Sequence, residues 1–588
     1  MKKVLALVLA LAMVLSLAAC GGSSSSSTTT SDSSAAADGT TTSDSATNTD
    51  STTLNINLAS EPDYLDPALN SSVDGGCLAV NSFEGLMTYS ADGELVEGCA
   101  ESYTVSDDGL TYTFTMREGL KWSNGEDLDA SDFEYSWRRA ADVNTAADYN
   151  YLYEILADGQ YDDTGSFTGL GENSVVASED GTTLTVQLVS VCPYFLDLCA
   201  FPAFFPVYEE TVEANNPDGT TPGGWALDAG DSFVCNGAYV LQSWNHDSDM
   251  TYVKNEYYRD ADSVAIETLN FMLSSDDTAI YAAYQDGSLD LIDTIPTDEL
   301  GVLIANENSE LYIVDNLGTY YVGFNYNSEL WDELGLSEDD AAVFRHALCL
   351  LVDREYIVEN IAQAGQELAT TFIPAAATDG NGGTFKNTDY YSVDDYDANV
   401  EEAKALLESI GFEFDDSGML TTDVSFTYLT NNSDANVKIA EALQADFASI
   451  GINMTIDQEE WNVFLETRKA GNFDVAREGW IMDYNDPINM LEMWTTDSGN
   501  NDCQFGRDDT KALDWDVYDD LITQIRNTAD LAERAELMHD AEDMLMETWC
   551  VLPIYYYNDS YMMKSNCDGL VTNLYGMKYF QYMTKTAE

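Results

Sequence analysis

An arginine and an aspartate stand six positions apart in the segment 473–487, FDVAREGWIMDYNDP, and opposite charges at this spacing could hold the two ends of one ligand. The first half of the segment alternates small or apolar residues with charged ones, which predicts a β-strand. On a strand, Arg477, Gly479, Ile481 and Asp483 share one face, with the two charges up to about 20 Å apart at about 3.3 Å per residue. Gly479 has no side chain, so another backbone can approach closely.

This pattern predicts a binding site for a short extended peptide. Such a ligand has a cationic amino end for Asp483, an anionic carboxyl end for Arg477 and a backbone that can form hydrogen bonds in between. Two simpler interpretations stay open. Asp483 could order a local turn, because aspartate bonds to nearby amides, and Arg477 could form a structural ion pair. We interpret Asp486 as the N-cap of the next helix, with Pro487 at its first position.

The preceding sequence contains elements that would position this strand. Residues 424–428 and 452–456 have strand patterns, and an amphipathic helix over 437–450 separates them and ends before a glycine. Such a strand–helix–strand unit predicts a parallel pair. A further helix over 462–469 leads directly into the charged strand.

The rest of the chain also mixes strand and helix patterns. Strands are predicted over 54–58 and 110–116 and within 175–189 and 252–271, and helices from Asp129 onward and over 400–410. These patterns predict an α/β architecture. About 530 residues follow position 54, enough for two or three lobes.

The first twenty residues have the composition of a targeting signal. Two lysines precede an apolar run over 4–17, which is too short to span a bilayer comfortably. LAACG at 17–21 resembles a bacterial lipobox, and this resemblance implies a signal peptide over 1–19 and lipid attachment to Cys20. Acyl chains contribute about 0.8 kcal/mol per buried methylene, so a multiply acylated Cys20 would hold the protein at a membrane. A retained membrane-spanning anchor is the alternative.

The charge of the chain limits its partners. It has 105 Asp and Glu residues against 23 Lys and Arg, a formal net charge of −82. Nucleic acid binding needs clustered Lys and Arg, so we predict no nucleic-acid partner. A weak attraction for basic peptides and an acidic composition shared by the whole organism account for the charge equally well.

The ten cysteines do not form a recognisable framework. Lipidation of Cys20 leaves nine, an odd number without a Cys-x-x-Cys pair, which argues against a zinc site and against complete disulfide pairing. We predict that most are small buried apolar residues. A bridge between Cys192 and Cys199 stays open.

Catalytic and metal-binding motifs are not recognised. The three histidines are widely separated, and there is no Gly-x-Ser-x-Gly elbow or complete nucleotide loop. Residues 395–406 begin like a calcium loop, but Val400 replaces the required glycine and Leu406 the final glutamate, so we predict a helix start. We therefore predict no cofactor, metal or catalytic residue. A glycosidase with paired carboxylates remains the alternative on composition.

Several short motifs, in a fixed order, resemble one known family. They are EPDYLDP at 61–67, FEGL at 83–86, VSDDGLTYTF at 105–114, REGLKWSNG at 117–125, NGAY at 236–239, KNEYY at 254–258, RHAL at 345–348, VDRE at 352–355 and WIMDYNDP at 480–487. Together they resemble the family 5 solute-binding proteins of ABC importers, and within it the oligopeptide-binding proteins. The resemblance covers essentially residues 54–583.

The resemblance implies a type II periplasmic-binding-protein fold with an extra domain. After a Ser/Thr-rich tether over 20–53, which lacks the apolar residues of a core, three lobes are expected. Lobe I comprises 54–83, 209–317 and 552–588, lobe II is an insertion over 84–208, and lobe III covers 318–551. The hinge is expected where the chain crosses between lobes.

The resemblance also implies a set of site residues. The position of Asp483 pairs with the peptide amino group. Strand pairing uses the backbone at positions of Ser71, Ser72 and Val73 on one side and Gly479, Trp480 and Ile481 on the other. Pocket and carboxylate positions correspond to Tyr149, Asn236, Asn436, Trp461, Arg468 and Arg477.

The implied function is transport without catalysis. A monomer anchored outside the cytoplasmic membrane through Cys20 would capture short peptides between closing lobes and deliver them to the permease and ATPase of an ABC transporter. Other solutes of the family, such as a dipeptide, an oligosaccharide, a nickel chelate or haem, stay open. Some relatives carry basic residues at the positions of Asn436 and Ser328, and neither is basic here. Arg477 is therefore expected to bind more of the carboxyl end.

Overall fold

The structure of the protein is a computed structural model that describes residues 51–58, 61–163, 165–306, 309–507 and 514–587. The expected signal peptide, Cys20 and most of the expected tether lie outside these residues. Within the described ranges, no helix has both the length and the apolar character needed to cross a bilayer.

The strands belong to one large mixed sheet and several small antiparallel ones. In chain order they are β1 (Thr53–Asn57), β2 (Met87–Tyr89), β3 (Leu95–Glu97), β4 (Ala100–Val105), β5 (Thr111–Met116), β6 (Gly159–Tyr161), β7 (Phe167–Leu170), β8 (Val175–Ala177), β9 (Thr183–Gln187), β10 (Tyr239–Asn245), β11 (Asp249–Lys254), β12 (Thr268–Met272), β13 (Leu291–Ile292), β14 (Leu311–Phe324), β15 (Glu367–Leu368), β16 (Val424–Asn431), β17 (Ile452–Glu459), β18 (Val475–Ile481), β19 (Val551–Met563), β20 (Cys567–Asp568), β21 (Val571–Thr572), β22 (Lys578–Tyr579) and β23 (Thr584–Lys585).

Helices of very different lengths connect these strands. They are α1 (Val73–Ser82), α2 (Ala130–Ala141), α3 (Phe195–Leu198), α4 (Glu209–Asn215), α5 (Asp277–Gln285), α6 (Thr297–Ala305), α7 (Leu330–Glu333), α8 (Glu338–Leu350), α9 (Arg354–Ile357), α10 (Tyr396–Ser409), α11 (Asp434–Ala448), α12 (Trp461–Lys469), α13 (Ile488–Glu492), α14 (Asp516–Asn527) and α15 (Leu531–Glu547). Short 3-10 and π turns supplement them.

The large sheet consists of two partly parallel halves joined by long antiparallel strands. Its order is β10-β11-β12-β1-β13-β19-β14-β18-β16-β17, with β15 beside β19. β1 is parallel to β12 and β13 in one half, and β16 is parallel to β17 and β18 in the other. The antiparallel β14–β19 ladder joins them, and its register shifts between Asp315 and Thr319. The boundary expected at position 318 coincides with this irregularity.

A separate sheet lies within the segment expected to be the inserted lobe. β4, β5, β9 and β8 pair antiparallel in that order, and α2 packs against this region. Helix α2 begins with a reciprocal cap, because Asp129 accepts a hydrogen bond from the Ser131 amide and Asp132 accepts one from the Asp129 amide. The helix start predicted at Asp129 is therefore confirmed.

The elements predicted near the charged segment are confirmed with small shifts of their ends. The strand–helix–strand unit is β16, α11 and β17, and its two strands are parallel. The helix predicted over 400–410 begins earlier, at Tyr396, because the Asp395 carboxylate accepts a hydrogen bond from the Ala398 amide 3.1 Å away. The calcium-like stretch is therefore a helix start, as predicted.

Nine cysteines are present in the described part of the chain, and all are free and buried. Cys192 and Cys199 are not bridged, so that open alternative is wrong. Burial raises the pKa of the Cys192 thiol, as expected for a thiol among apolar groups. These cysteines pack as small apolar residues, which confirms the prediction.

Candidate functional site

Most of the predicted site residues line one cavity of about 230 Å³. It is bounded by the start of α1, the side chains of α12 and β18, and residues from the inserted segment. The predicted residues at its wall are Ser71, Ser72, Val73, Tyr149, Trp461, Arg468, Arg477, Gly479, Trp480, Ile481 and Asp483.

Strand β18 presents an open backbone edge to this cavity. On one side it pairs with β14 along its whole length, from Val475 to Ile481. On the other side β16 pairs with it only at Val475 and Ala476. In the described part of the chain, the backbone of 477–481 therefore has no strand neighbour on that side. An exposed strand edge is a template for adding another extended chain.

Asp483, just beyond β18, is a buried carboxylate without a cationic partner. Its oxygens accept hydrogen bonds from the Tyr149 hydroxyl at 3.1 Å and the Asn489 amide at 2.8 Å. No Lys, Arg or His nitrogen of the described residues lies within 4.0 Å of it. Both donors belong to side chains, so its carboxylate does not order a turn and that simpler interpretation is wrong.

The surroundings of Asp483 make its carboxyl group harder to ionise. Burial raises the pKa of Asp483 to about 7, against the opposing effect of the hydrogen bonds from Asn489 and Tyr149. The nearby negative charge of Glu492 raises the pKa further. A cation placed beside this carboxylate would have the opposite effect and favour its ionised form.

Arg477 is the corresponding cation without an anion. Its Nη2 donates a hydrogen bond to the Tyr557 hydroxyl at 3.3 Å, and its guanidinium lies 5.3 Å from the ring centre of Tyr320 and 5.9 Å from that of Trp461. Its Nε is buried and has no hydrogen-bond partner. Among the described residues no carboxylate lies within 4.0 Å, so the structural ion pair left open for Arg477 is wrong.

Arg468 lies at the same wall, but its charge is already paired. Its guanidinium lies 2.8 Å from Glu478 and 2.9 Å from Asp502. Glu478 occupies the alternate face of β18 and does not line the cavity. The single positive charge of Arg468 is therefore shared by two buried acids.

Aromatic side chains form the remaining walls. The Trp480 indole donates a hydrogen bond to the side-chain oxygen Oδ1 of Asn489 at 3.0 Å, and its ring lies 6.1 Å from that of Tyr149. Trp461 is half-buried, and its indole nitrogen has no partner. Both tryptophans line the cavity rather than the closed core.

Two predicted residues lie elsewhere. Asn236 does not line this cavity: its amide donates to the Glu84 carbonyl at 2.9 Å and its oxygen accepts from the Glu84 amide at 3.1 Å. It therefore holds the chain at an expected lobe crossing, and its prediction as a cleft residue is wrong. Asn436 lines a neighbouring cavity and donates to Asn431 at 2.8 Å.

Three buried ion pairs involve β18 and the segment that follows it. They are Asp486–Arg534, Glu492–Arg526 and Glu478–Arg468, and we call them the ion-paired layer. Asp486 binds Arg534 through two hydrogen bonds of 2.7 and 2.8 Å. Its carboxylate also accepts from the Ile488 amide at 3.1 Å. Helix α13 is assigned from Ile488, but Pro487 already has helical dihedrals and the capping hydrogen bond is accepted by Asp486, so the N-cap prediction for Asp486 is confirmed.

A polar contact joins segments expected to belong to all three lobes. Lys469, at the end of α12, forms an ion pair with Asp148 and donates a hydrogen bond to the Ser71 hydroxyl at 2.8 Å. Ser71 in turn donates to Asp148 at 3.1 Å. We call Lys469, Asp148 and Ser71 the latch. It brings the inserted segment against α12 next to the cavity.

Several lining residues were not predicted from the sequence. Tyr557 and Asp74 come from distant parts of the chain, and Asn489 supports Asp483 from the next helix. The run of three tyrosines at 555–557 was the available signal for Tyr557. As far as the described chain extends, no three His, Cys, Asp or Glu residues are arranged to hold a metal ion.

The comparisons with known proteins agree on one family. Residues 94–502 match the model of the bacterial extracellular solute-binding proteins, family 5. The oligopeptide-binding protein OppA of Bacillus subtilis is 32% identical over 540 residues, which cover 90% of this chain and 92% of that protein.

Solved structures agree on the fold. The murein tripeptide-binding protein MppA of Escherichia coli has a TM-score of 0.79 at 26% identity, covering 91% of this chain and 98% of that one. Haemophilus influenzae OppA in complex with the peptide RPPGFSPFR has a TM-score of 0.78 at 25% identity, covering 91% and 99%. The expected type II periplasmic-binding-protein fold is therefore confirmed.

Proposed function

Because the chain belongs to family 5 of the bacterial extracellular solute-binding proteins, we propose that it captures short peptides in the cavity beside β18 and releases them to an ABC importer. In this proposal the peptide lies extended along the open edge of β18, with its amino group at Asp483 and its carboxylate toward Arg477. The peptide complexes among its structural relatives support this choice of ligand.

The observation that carries the proposal is the pair of uncompensated charges in one cavity. Asp483 lacks a cation and Arg477 lacks an anion within the described residues. A buried ionised group is costly unless it has a partner of opposite charge, so Asp483 and Arg477 each favour a ligand group that supplies one. A zwitterionic ligand with a short backbone supplies both missing partners and the missing strand.

The alternatives explain less of this geometry. A neutral oligosaccharide brings no charge for either residue, and an anionic chelate or haem would satisfy Arg477 but not Asp483. A dipeptide has both charges and differs only in length. For a glycosidase, the lining carboxylates are Asp74 and Asp483, and Asp483 is held by Tyr149 and Asn489. The peptide is the ligand class that uses both charges.

Calorimetry with matched ligands tests the proposal. We expect a free tri-alanine peptide to bind, its N-acetyl form to bind at least about a hundredfold more weakly, and its C-terminal amide to lose affinity as well. Equal affinity of the free and acetylated peptides would refute the role of Asp483. Cleavage of the peptide during the titration would favour an enzyme.

The site residues on the second strand edge and in the pockets remain part of the proposal. Ser71, Ser72 and Val73 would bond to the peptide backbone opposite Gly479–Ile481, and Trp461 and Trp480 would contact its side chains. Mass spectrometry of peptides that copurify with the protein gives their lengths and sequences. A set of peptides with blocked amino groups would contradict the assigned direction of binding.

We also propose that the mature protein is a monomer that begins at Cys20 and is held on the outer face of the cytoplasmic membrane by lipid on that residue. The lipobox-like sequence at 17–21 supports this. The intact mass of the membrane-extracted protein should show the loss of residues 1–19 and the addition of acyl chains. In the Cys20→Ser variant, the protein should either be released from the membrane or keep its signal peptide. An unmodified Cys20 in the mature protein would exclude the anchor.

A further inference from the structure

A second cavity, of about 270 Å³, adjoins the proposed peptide site. The two cavities share four lining residues, which are Val73, Asp74, Trp461 and Arg477. A ligand that reaches Arg477 through the first cavity therefore has side-chain space in the second. The two volumes together fall within the range of about 300–1,000 Å³ that is usual for small-ligand sites.

Asp74 faces this shared space without a cation of its own. It lies in the first turn of α1, directly after Val73, and its side chain is partly accessible from the cavities. No Lys, Arg or His of the described residues lies within 4.0 Å of it, and Arg477 shares the cavity wall without contacting it. The first turn of a helix favours a negative charge, but it does not replace a counterion.

The neighbours of Asp74 add negative charge rather than neutralise it. Asp63 also lacks an ion pair in the described part, and one of its carboxylate oxygens is buried without a hydrogen-bond partner. Asp293 and Lys578 both line the second cavity, and their charged groups lie 3.5 Å apart. That lysine also binds Asp559 at 2.8 Å, so its charge is already shared by two acids. Burial and the charges of Asp63 and Asp293 raise the pKa of Asp74 to about 7.

We propose that Asp74 selects peptides that carry a lysine or arginine side chain next to the end held by Arg477. This inference rests on the proposed peptide binding and names the ligand class within it. A cationic side chain in the shared space would satisfy Asp74 and be stabilised by Asp63. An apolar side chain would cover the carboxylate without a partner, and an acidic one would be repelled.

The test uses alanine tripeptides in which lysine, norleucine or glutamate occupies each position in turn. Norleucine keeps the methylene chain of lysine and lacks only the charge. We expect lysine to bind at least about tenfold tighter than norleucine at one position in the carboxyl half, and glutamate to bind most weakly there. The preference should be confined to one position, because the adjacent side chain of an extended chain faces the opposite way and the first residue lies at the Asp483 end of the site.

The same titrations with Asp74→Asn complete a double-mutant cycle. The variant should keep the far-ultraviolet circular dichroism spectrum of the wild type, which shows that it is folded, and should lose the preference for lysine over norleucine. A general attraction of basic peptides to a chain of net charge −82 would instead survive in the variant and appear at every position. That result, or equal binding of lysine and norleucine peptides to the wild type, would overturn the assignment.

The outcomes also separate this inference from the function on which it rests. If tri-alanine binds and lysine gives no advantage, only the role of Asp74 is refuted. If no tripeptide binds at all, peptide capture itself is refuted and the role of Asp74 falls with it.

Discussion

Asp483 and Asp486 are both buried and lie three residues apart, but they have opposite surroundings. Asp486 belongs to the ion-paired layer and is bound by Arg534 through two hydrogen bonds. Asp483 lines the cavity and has only the uncharged donors Tyr149 and Asn489. The protein itself supplies the counterion of Asp486, whereas in the proposed function a ligand supplies the counterion of Asp483.

The difference shows how a very acidic chain uses its few cations. With 105 acidic residues and 23 basic ones, most acids cannot be paired and must remain in contact with solvent. Buried acids of the ion-paired layer each have an arginine, whereas the cavity keeps Arg477 and Asp483 apart. In this region, an ion pair within the protein therefore indicates a structural role, and a buried charged group without a counterion indicates a binding site.

The largest effect is expected in the ion-paired layer, on stability. Arg534→Met leaves the Asp486 carboxylate buried and unpaired, which should lower the free energy of unfolding by about 3–5 kcal/mol. Affinity for tri-alanine at a temperature where the variant is folded should stay within about twofold, because neither residue lines the cavity. Chemical denaturation and calorimetry measure the two quantities.

A second variant checks the reason for that loss. Adding Asp486→Asn to Arg534→Met removes the orphaned charge and should restore a large part of the stability. If the double variant is as unstable as the single one, lost packing of the arginine rather than an unpaired carboxylate is responsible.

The next largest effect is expected at the cavity, on affinity. Asp483→Asn should weaken binding of free tripeptides by about 2–3 kcal/mol, roughly thirty- to two-hundredfold, because the amide cannot form an ion pair with the peptide ammonium. N-acetylated peptides should bind the variant and the wild type almost equally. Calorimetry of the four combinations gives the coupling between the carboxylate and the amino group.

The same variant should not lose stability. The pKa of Asp483 is about 7 in the folded protein and near 3.8 in the unfolded chain, so the folded state binds more protons between these values. Ionisation of Asp483 therefore costs stability as the pH rises from about 4 to 7. Asp483→Asn removes this cost and should be at least as stable as the wild type at pH 7.5. A less stable variant would assign Asp483 to the fold instead.

Affinity should depend on pH in a way that follows from the same carboxylate. Below pH 7 the empty site holds protonated Asp483, and binding of an ammonium must release that proton. The affinity advantage of free over acetylated tri-alanine should then fall by up to tenfold, about 1.4 kcal/mol, for each pH unit below 7. It should also fall above about pH 8, where the peptide amine loses its charge.

Buffers with different ionisation enthalpies measure the proton released at pH 6. A value near one proton per peptide is expected for the wild type, beyond that seen with the acetylated peptide. Asp483→Asn should abolish the difference, and persistence of the difference in this variant would place the titrating group elsewhere.

Local patterns predicted much of the architecture, because each depends on neighbours in the sequence. Alternation around Arg477 indicated β18, and the glycine stops and strand patterns indicated the parallel β16–α11–β17 unit. Arg477 and Asp483 were found as candidate ligand groups from their spacing on one strand. The family motifs added the remaining positions, and most of these line the cavity.

The errors and omissions come from contacts between distant segments. Asn236 was expected at the cleft, but its hydrogen bonds go to Glu84, 152 residues away in the chain. Arg468 and Arg477 were both predicted at the cleft, and only the fold shows that Glu478 and Asp502 neutralise the charge of Arg468. No periodicity in the sequence records which acid meets which arginine.

The smallest effect is expected at the latch, which is an ion pair within the protein at the edge of the binding site. Lys469 and Asp148 are each about one-fifth exposed (22% and 22%), so solvent screens their attraction. Lys469→Met should therefore weaken peptide binding by only about 0.5–1 kcal/mol. Because the contact joins expected lobes, the loss should appear as a peptide dissociation rate about two- to fivefold faster, with little change in association.

Stopped-flow fluorescence can follow this step, since Trp461 and Trp480 line the cavity. The matched control is Lys404→Met, which removes an ion pair with Glu401 within a single helix. It should leave the dissociation rate unchanged. Equal rates for the two variants would show that the latch is an ordinary surface pair. A solute-binding protein must reopen to release its ligand, and a strong latch would oppose that release. A much larger change for Lys469→Met would therefore contradict the prediction that the latch has the smallest effect.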